Sequence, residues 1–255
     1  MSLTNFEKVC DFNKTFDFPI LEHKNSSLDN VKIATLRINL IEEEGIIEFK
    51  KALETNDKIE MLDSIADHLY VLYGLCYTYS FNPDHYMELE YSKNNKLTNY
   101  EMIYNSINSI NSINSMNSIN ELENIQIIFK ENCTLVDRLK KSMLETKDII
   151  ETYITTMCLI INTYKLGIYL RINVDNLFDI IHKSNMSKLC KTEEEAELTV
   201  QNYKQKYESG ESPYDSPYYY KSDNYYIVKN KSSGKSLKSI NYTAVKLNID
   251  ELTVV

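Results

Sequence analysis

The residues in this chain best placed to do chemistry are acidic, and they fall in one stretch. Glu44 and Glu48 share a helical stripe with Ile41 and Ala52, and Gly45 lies beside them. Glu42 and Glu43 point elsewhere on the same helix. Glu60, Asp63 and Asp67 follow at helical spacing, so they line one narrow face of the next helix, bordering the apolar stripe of Ile59, Leu62, Ala66 and Tyr73. No basic residue within that face pairs with them. Like charges so spaced destabilise a bare helix, and partly buried they must protonate or find a counter-charge. A divalent cation supplies one. Ligation by oxygen alone, with no His or Cys in the cluster, suits Mg²⁺ or Mn²⁺ rather than zinc. Two adjacent antiparallel helices bearing carboxylates make a site for phosphate chemistry. A solvated acidic face accounts for the same residues without any ligand, and both readings stand at this point.

The elements that must position these residues are helical. Phe6, Val9, Phe12 and Phe16 place one helix within residues 1–20, stopped by Pro19. A second runs from after Ser27 to about Glu54, with Ser26, Ser27 or Asp29 as candidate caps. Thr55–Asn56–Asp57 reads as the turn into a third, about Lys58 to Tyr79, which Phe81–Asn82–Pro83–Asp84 should end. Residues from Ser106 to Asn120 repeat Ser-Ile-Asn in steps of three, a period that matches neither helix nor strand. We read them as disordered, within an exposed low-complexity insert at about 85–120. Helical periodicity returns from Leu122, and Ile149 to Tyr169 forms a strongly apolar helix that belongs at the centre of the core. Asp175–Leu189 and Glu193–Tyr207 are two further helices, the latter opened by a Thr192/Glu195 capping box. Near the end, Tyr225–Tyr226–Ile227–Val228 is strand-like, Asn230 to Gly234 turn-like, and Ser236 to Tyr242 is the expected return strand. The fold expected is all-α, a helical bundle with a small C-terminal β-hairpin. It divides into a helical domain over 1–200 and a tail over 201–255.

Composition narrows the partners. The formal charge of −9 argues against gripping long nucleic acid, though a cation can still bring in a small phosphorylated ligand. No run of about 18 apolar residues exists and the first residues carry no signal pattern, so a cytoplasmic location without membrane contact is expected. Cys10, Cys76, Cys133, Cys158 and Cys190 are scattered, with no zinc-type spacing.

The run Leu40–Ile41–Glu42–Glu43–Glu44–Gly45–Ile46–Ile47–Glu48, followed by Glu60–Met61–Leu62–Asp63–Ser64–Ile65–Ala66–Asp67, resembles the EExxE…ExxD signature of the all-α NTP pyrophosphohydrolases, which include MazG-like enzymes and phosphoribosyl-ATP pyrophosphohydrolase. The run Asp67 to Gly74 resembles the continuation of that helix. Phe6 to Phe16 looks like the N-terminal helix of longer, often viral or phage, members. His182 to Leu189, after Phe178–Asp179, resembles their second signature. Tyr214–Asp215–Ser216–Pro217 and Gly234 to Tyr242 look like the tail of the same subgroup. The resemblance covers about 1–80 and 175–245, and leaves about 85–150 aside. One feature departs from it. With Glu43 and Glu44 as the pair, the third Glu should stand where Ile47 is, and a local bulge would absorb the extra residue before Glu48. In the other register Glu44 is first, Glu48 third, and Gly45 replaces the second.

The resemblance implies Mg²⁺-dependent hydrolysis of a nucleotide between its α- and β-phosphates, to a monophosphate and pyrophosphate, with metal holding the phosphates and activating water. Glu44, Glu48, Glu60, Asp63 and Asp67 are the metal candidates, Asp67 either as ligand or as an acceptor behind the ligands. Glu43 or Glu44 would take the water's proton. Asn185 and Lys188 are candidate substrate contacts, unless Asn185 caps a helix and Lys188 is solvated. Lys235 and Lys238 are candidates to close over phosphates. His182 is more simply structural, and the tyrosines of 214–226 more simply packing than base-stacking. A homodimer is expected, because two short carboxylate helices cannot bury their stripes and enclose a nucleotide alone; the apolar helix over 149–169 is the internal alternative. Competing functions are a dedicated phosphoribosyl-ATP pyrophosphohydrolase of histidine biosynthesis, or a non-enzymatic helical interaction module indifferent to Mg²⁺.

Overall fold

The computed structural model describes residues 3–91, 98–114 and 121–253. In chain order these form α1 (Asn5–Thr15), a 3₁₀ turn (Asn25–Asp29), α2 (Val31–Glu42), a π-turn (Glu43–Glu48), α3 (Phe49–Thr55), α4 (Lys58–Thr78), α5 (Pro83–Tyr91), α6 (Asn99–Asn114), α7 (Glu121–Lys140), a second π-turn (Lys141–Glu145), α8 (Ile149–Tyr169), α9 (Val174–Met186) and α10 (Glu193–Glu208). A two-stranded antiparallel sheet of β1 (Pro217–Ser222) and β2 (Tyr225–Asn230) and a last turn of helix, α11 (Ile249–Leu252), follow. The fold is all-α with a small C-terminal hairpin. No helix among the described residues is long and apolar enough to cross a membrane.

The chain forms two compact units. The first comprises Met1–Cys10, Pro19–Asp179 and Leu247–Val255; the second comprises Asp11–Phe18 and Ile180–Lys246. The boundary expected at residue 200 would cut α10, which lies wholly in the second unit.

Within the first unit α4 is central. It packs on α8, α2, α3 and the first π-turn, so the internal partner for the carboxylate helices is α8, which also pairs along its length with α7. From Met61 to Thr78 every residue of α4 is buried except Asp63, Asp67 and Val71. Caps fix the ends. Asp57 accepts from the amides of Ile59 and Glu60 to start α4, and Asp148 does the same for α8. The cap of α2 is Asn30, not Ser26, Ser27 or Asp29, because Ser27 and Asp29 are taken up in the 3₁₀ turn before it. Asn56, in the left-handed conformation (φ 53°), turns α3 back on itself so that α4 runs antiparallel to it.

The low-complexity stretch corrects our expectation. Residues 106–114 are not disordered but continue α6, and the expected insert also takes in most of α5. A step of three falls only about 60° short of a helical turn, so a few repeats still share one side of a helix. Met87, Tyr100, Met102 and Ile103 are buried, which ties both helices into the core. Residues 115–120 lie outside the described residues.

In the second unit, α10 starts at Thr192, whose hydroxyl accepts from the Glu195 amide, and packs on both strands. The hairpin is not the one the sequence suggested. β2 pairs upstream with β1 across the two-residue loop Asp223–Asn224, where Asp223 has φ 48°. Ser236 to Tyr242 contributes one isolated bridge, Lys229 to Ser236. A two-residue Asp-Asn turn matches strand twist better than the longer Asn230–Gly234 connection.

Candidate active site

The antiparallel turn at Asn56 sets the π-turn against the first half of α4. Ser64 donates its hydroxyl to the backbone carbonyl of Glu44 in a short hydrogen bond. Gly45 lies under the ring of His68: a Cβ built there would stand 2.3 Å from Nε2. A π-turn closes i→i+5 and so takes one residue more than an α-turn. It is a bulge of the kind that would absorb the extra residue before Glu48 in the first of the two alignments.

Glu44, Asp63 and Asp67 are half-buried, while Glu43, Glu48 and Glu60 are exposed. Burial pushes the Glu44 carboxyl up to about 8, and the neighbouring charges of Asp67, Glu48, Glu43 and Asp63 push the same way. Burial likewise raises Asp63, helped by Glu60 and Glu48. The predicted carboxylates are therefore brought together, with Glu48 felt by both Glu44 and Asp63. Glu42 turns away, as expected, into an ion pair with Lys140. Among the described residues no Lys or Arg forms an ion pair with Glu44, Glu48, Glu60 or Asp63. Nor, among the described residues, do three acidic, His or Cys side chains already surround one point as a ligand set. The donor chemistry nonetheless fits Mg²⁺, which needs only one or two carboxylates, keeps waters and takes phosphate oxygens as further ligands.

The proposed substrate contacts lie in the second unit, not in the unit that carries the carboxylates. Lys188 Nζ donates to Asn185 Oδ1 at 2.5 Å. Lys238 sits 4.3 Å over the ring of Tyr242, and Lys235 5.8 Å over that of Tyr214. Sequence reasoning missed the support of the π-turn: Ser64, His68 and, on α8, Thr163, whose hydroxyl is 3.0 Å from His68 Nδ1. The available signal was Gly45 itself, a glycine within an apolar helical pattern, which marks close approach of a neighbour.

An all-α fold with EExxxE on a π-turn facing ExxD on an antiparallel helix defines a class, and the chain belongs to the all-α NTP pyrophosphohydrolases, enzymes that cleave the pyrophosphate bonds of nucleotides. The family profile of phosphoribosyl-ATP pyrophosphohydrolase matches residues 9–90, which hold all six acidic candidates. An uncharacterized protein of Acanthamoeba polyphaga mimivirus is 32% identical over 240 residues, covering 92% of this chain and 91% of its own. No solved structure matches the chain.

Proposed function

We propose that the chain is a Mg²⁺-dependent pyrophosphohydrolase that converts a nucleoside or deoxynucleoside triphosphate, or a related nucleotide, to the monophosphate and pyrophosphate. The observation that carries this reading is Glu44, a half-buried carboxyl raised to about 8 amid like charges, with no Lys or Arg ion-paired to it among the described residues. Such a group is poised for an external positive charge.

In this reading Glu44, Glu48, Glu60 and Asp63 hold the metal, with Asp67 as a further ligand or an acceptor behind them. When bound, Mg²⁺ supplies charge that holds phosphate oxygens and acidifies water. The chain's own part is to orient that water and accept its proton at a carboxylate oxygen of Glu43 or Glu44. From Met61 onward α4 is buried except at Asp63, Asp67 and Val71, which keeps the two aspartates on its open stripe. Asn185, Lys188, Lys235 and Lys238 are proposed nucleotide contacts, and contact with phosphate requires the lysines to exchange their present partners for it. A homodimer is the proposed working form, testable by light scattering.

The deciding experiment is pyrophosphate release from a panel of nucleoside and deoxynucleoside triphosphates and phosphoribosyl-ATP, with and without Mg²⁺. Release from at least one triphosphate, only with Mg²⁺, is expected. Turnover of phosphoribosyl-ATP alone moves the assignment to that substrate, and no release from any nucleotide overturns it.

A further inference from the structure

The π-turn that carries three of the site's glutamates is held by residues outside the carboxylate set. His68 is only 2% exposed. Thr163 spends its one hydroxyl proton on the Leu159 carbonyl, at 2.7 Å, so its oxygen accepts from His68. The imidazole is thus neutral with its proton on Nδ1, and burial depresses its basicity to about 3. Nε2 is left as a bare lone pair, buried without a hydrogen-bond partner among the described residues and lying against Gly45. A buried nitrogen without a partner is costly, and an aliphatic side chain on α4 would avoid that cost. What the ring does here is fill space that only a residue lacking a Cβ leaves open. One turn earlier on α4, Ser64 bonds the Glu44 carbonyl. Ser64 and His68, four residues apart on one face, therefore grip adjacent residues of the π-turn, and Thr163 of α8 fixes the ring's orientation.

We propose that Gly45 and His68, with Ser64 and Thr163 behind them, act as a key that locks the one-residue bulge in place and so sets where Glu44 and Glu48 stand. They are positioning residues, and the proposal rests on the reading of those glutamates as metal-binding. The steric logic is reciprocal: a methyl at residue 45 and an imidazole at residue 68 exclude one another, and removing the ring makes room for the methyl.

Two measurements on the full chain test the key. The first is amide hydrogen exchange over residues 43–49 together with Mn²⁺ affinity by electron paramagnetic resonance. His68→Ala is expected to speed exchange in that segment at least tenfold and weaken Mn²⁺ at least tenfold, while α8 and the rest of α4 keep their protection. The second is thermal melting of Gly45→Ala alone and combined with His68→Ala. Gly45→Ala should lower Tm in the natural background and not in the His68→Ala background. If the natural chain binds no Mn²⁺, the metal reading fails, and exchange over 43–49 still decides the key. Unchanged local exchange in His68→Ala, or Gly45→Ala equally harmful in both backgrounds, overturns it.

Discussion

The first unit buries carboxylates in two places and treats them differently. Asp175, on α9, is half-buried, and desolvation raises its proton affinity. It also accepts from Asn5 Nδ2 at 2.6 Å, the Tyr164 hydroxyl at 2.9 Å and the Tyr100 amide at 3.3 Å, with Tyr73 3.2 Å beyond Tyr164. Asp84 similarly accepts from Thr4 and Asn99. These acids are met from within: their donors come from Thr4, α1, α6 and α8, and the bonds join those helices to α5 and α9. Glu44 is half-buried too, yet the charged groups that shift it are acids, Asp67, Glu48, Glu43 and Asp63, and burial with their charge raises it to about 8. Buried polar groups in folded chains are satisfied as a rule. A carboxylate satisfied from within is structural, whereas one left among like charges awaits something from outside.

The largest expected effect separates the two clusters outright. Asp63→Ala or Glu60→Ala should cut pyrophosphate release about 100-fold or more while the metal-free melting temperature holds or rises, since a repulsive charge is lost. Asp175→Ala should do the reverse kind of damage, costing about 3 kcal/mol of stability by orphaning several buried donors. Calorimetric melts beside steady-state assays read both. If Asp175→Ala is stable and inactive, the comparison collapses.

Next in size is ligand linkage. At 100 times its dissociation constant Mg²⁺ should stabilise the natural chain by about 2.7 kcal/mol. It should do much less for Asp63→Ala and leave the gain intact in Asp84→Asn. Melting with and without Mg²⁺ checks this.

A smaller effect lies in pH. Below 4.5 Glu44 is protonated in both folded and unfolded chains; between 4.5 and about 8 only the folded chain keeps the proton. The unfolded state then binds fewer protons, so metal-free stability falls as pH rises through that window. Glu44→Gln should flatten the fall, as urea titrations across the window would show. The smallest effect is expected at Lys188→Ala, a rise in KM with little change in kcat, read from initial rates.

Much of this was legible in the sequence, because the helix-borne acids declare themselves by spacing. Asp63 and Asp67 occupy the open stripe of α4, and one of the two registers left open by the sequence allowed for a bulge before Glu48, where the π-turn Glu43–Glu48 lies. What periodicity cannot show is which distant residue fills a gap. His68 over Gly45, and Thr163 behind it, are tertiary contacts between residues whose types alone suggest nothing. Ser-Ile-Asn repeats misled because period three was judged as a pattern of its own, although a helix tolerates it over a few turns. The hairpin misled because the tight Asp223–Asn224 turn was passed over for a glycine-containing one.

The central claim is that the Glu44 cluster takes a divalent cation in place of a proton. Calorimetric titration of Mn²⁺ into the metal-free chain near pH 7, in two buffers of different ionisation enthalpy, tests it most directly. The account predicts binding with release of about one proton, a release that Glu44→Gln abolishes, and loss of binding in Asp63→Ala. Absence of binding, or identical binding in Asp63→Ala, would contradict it.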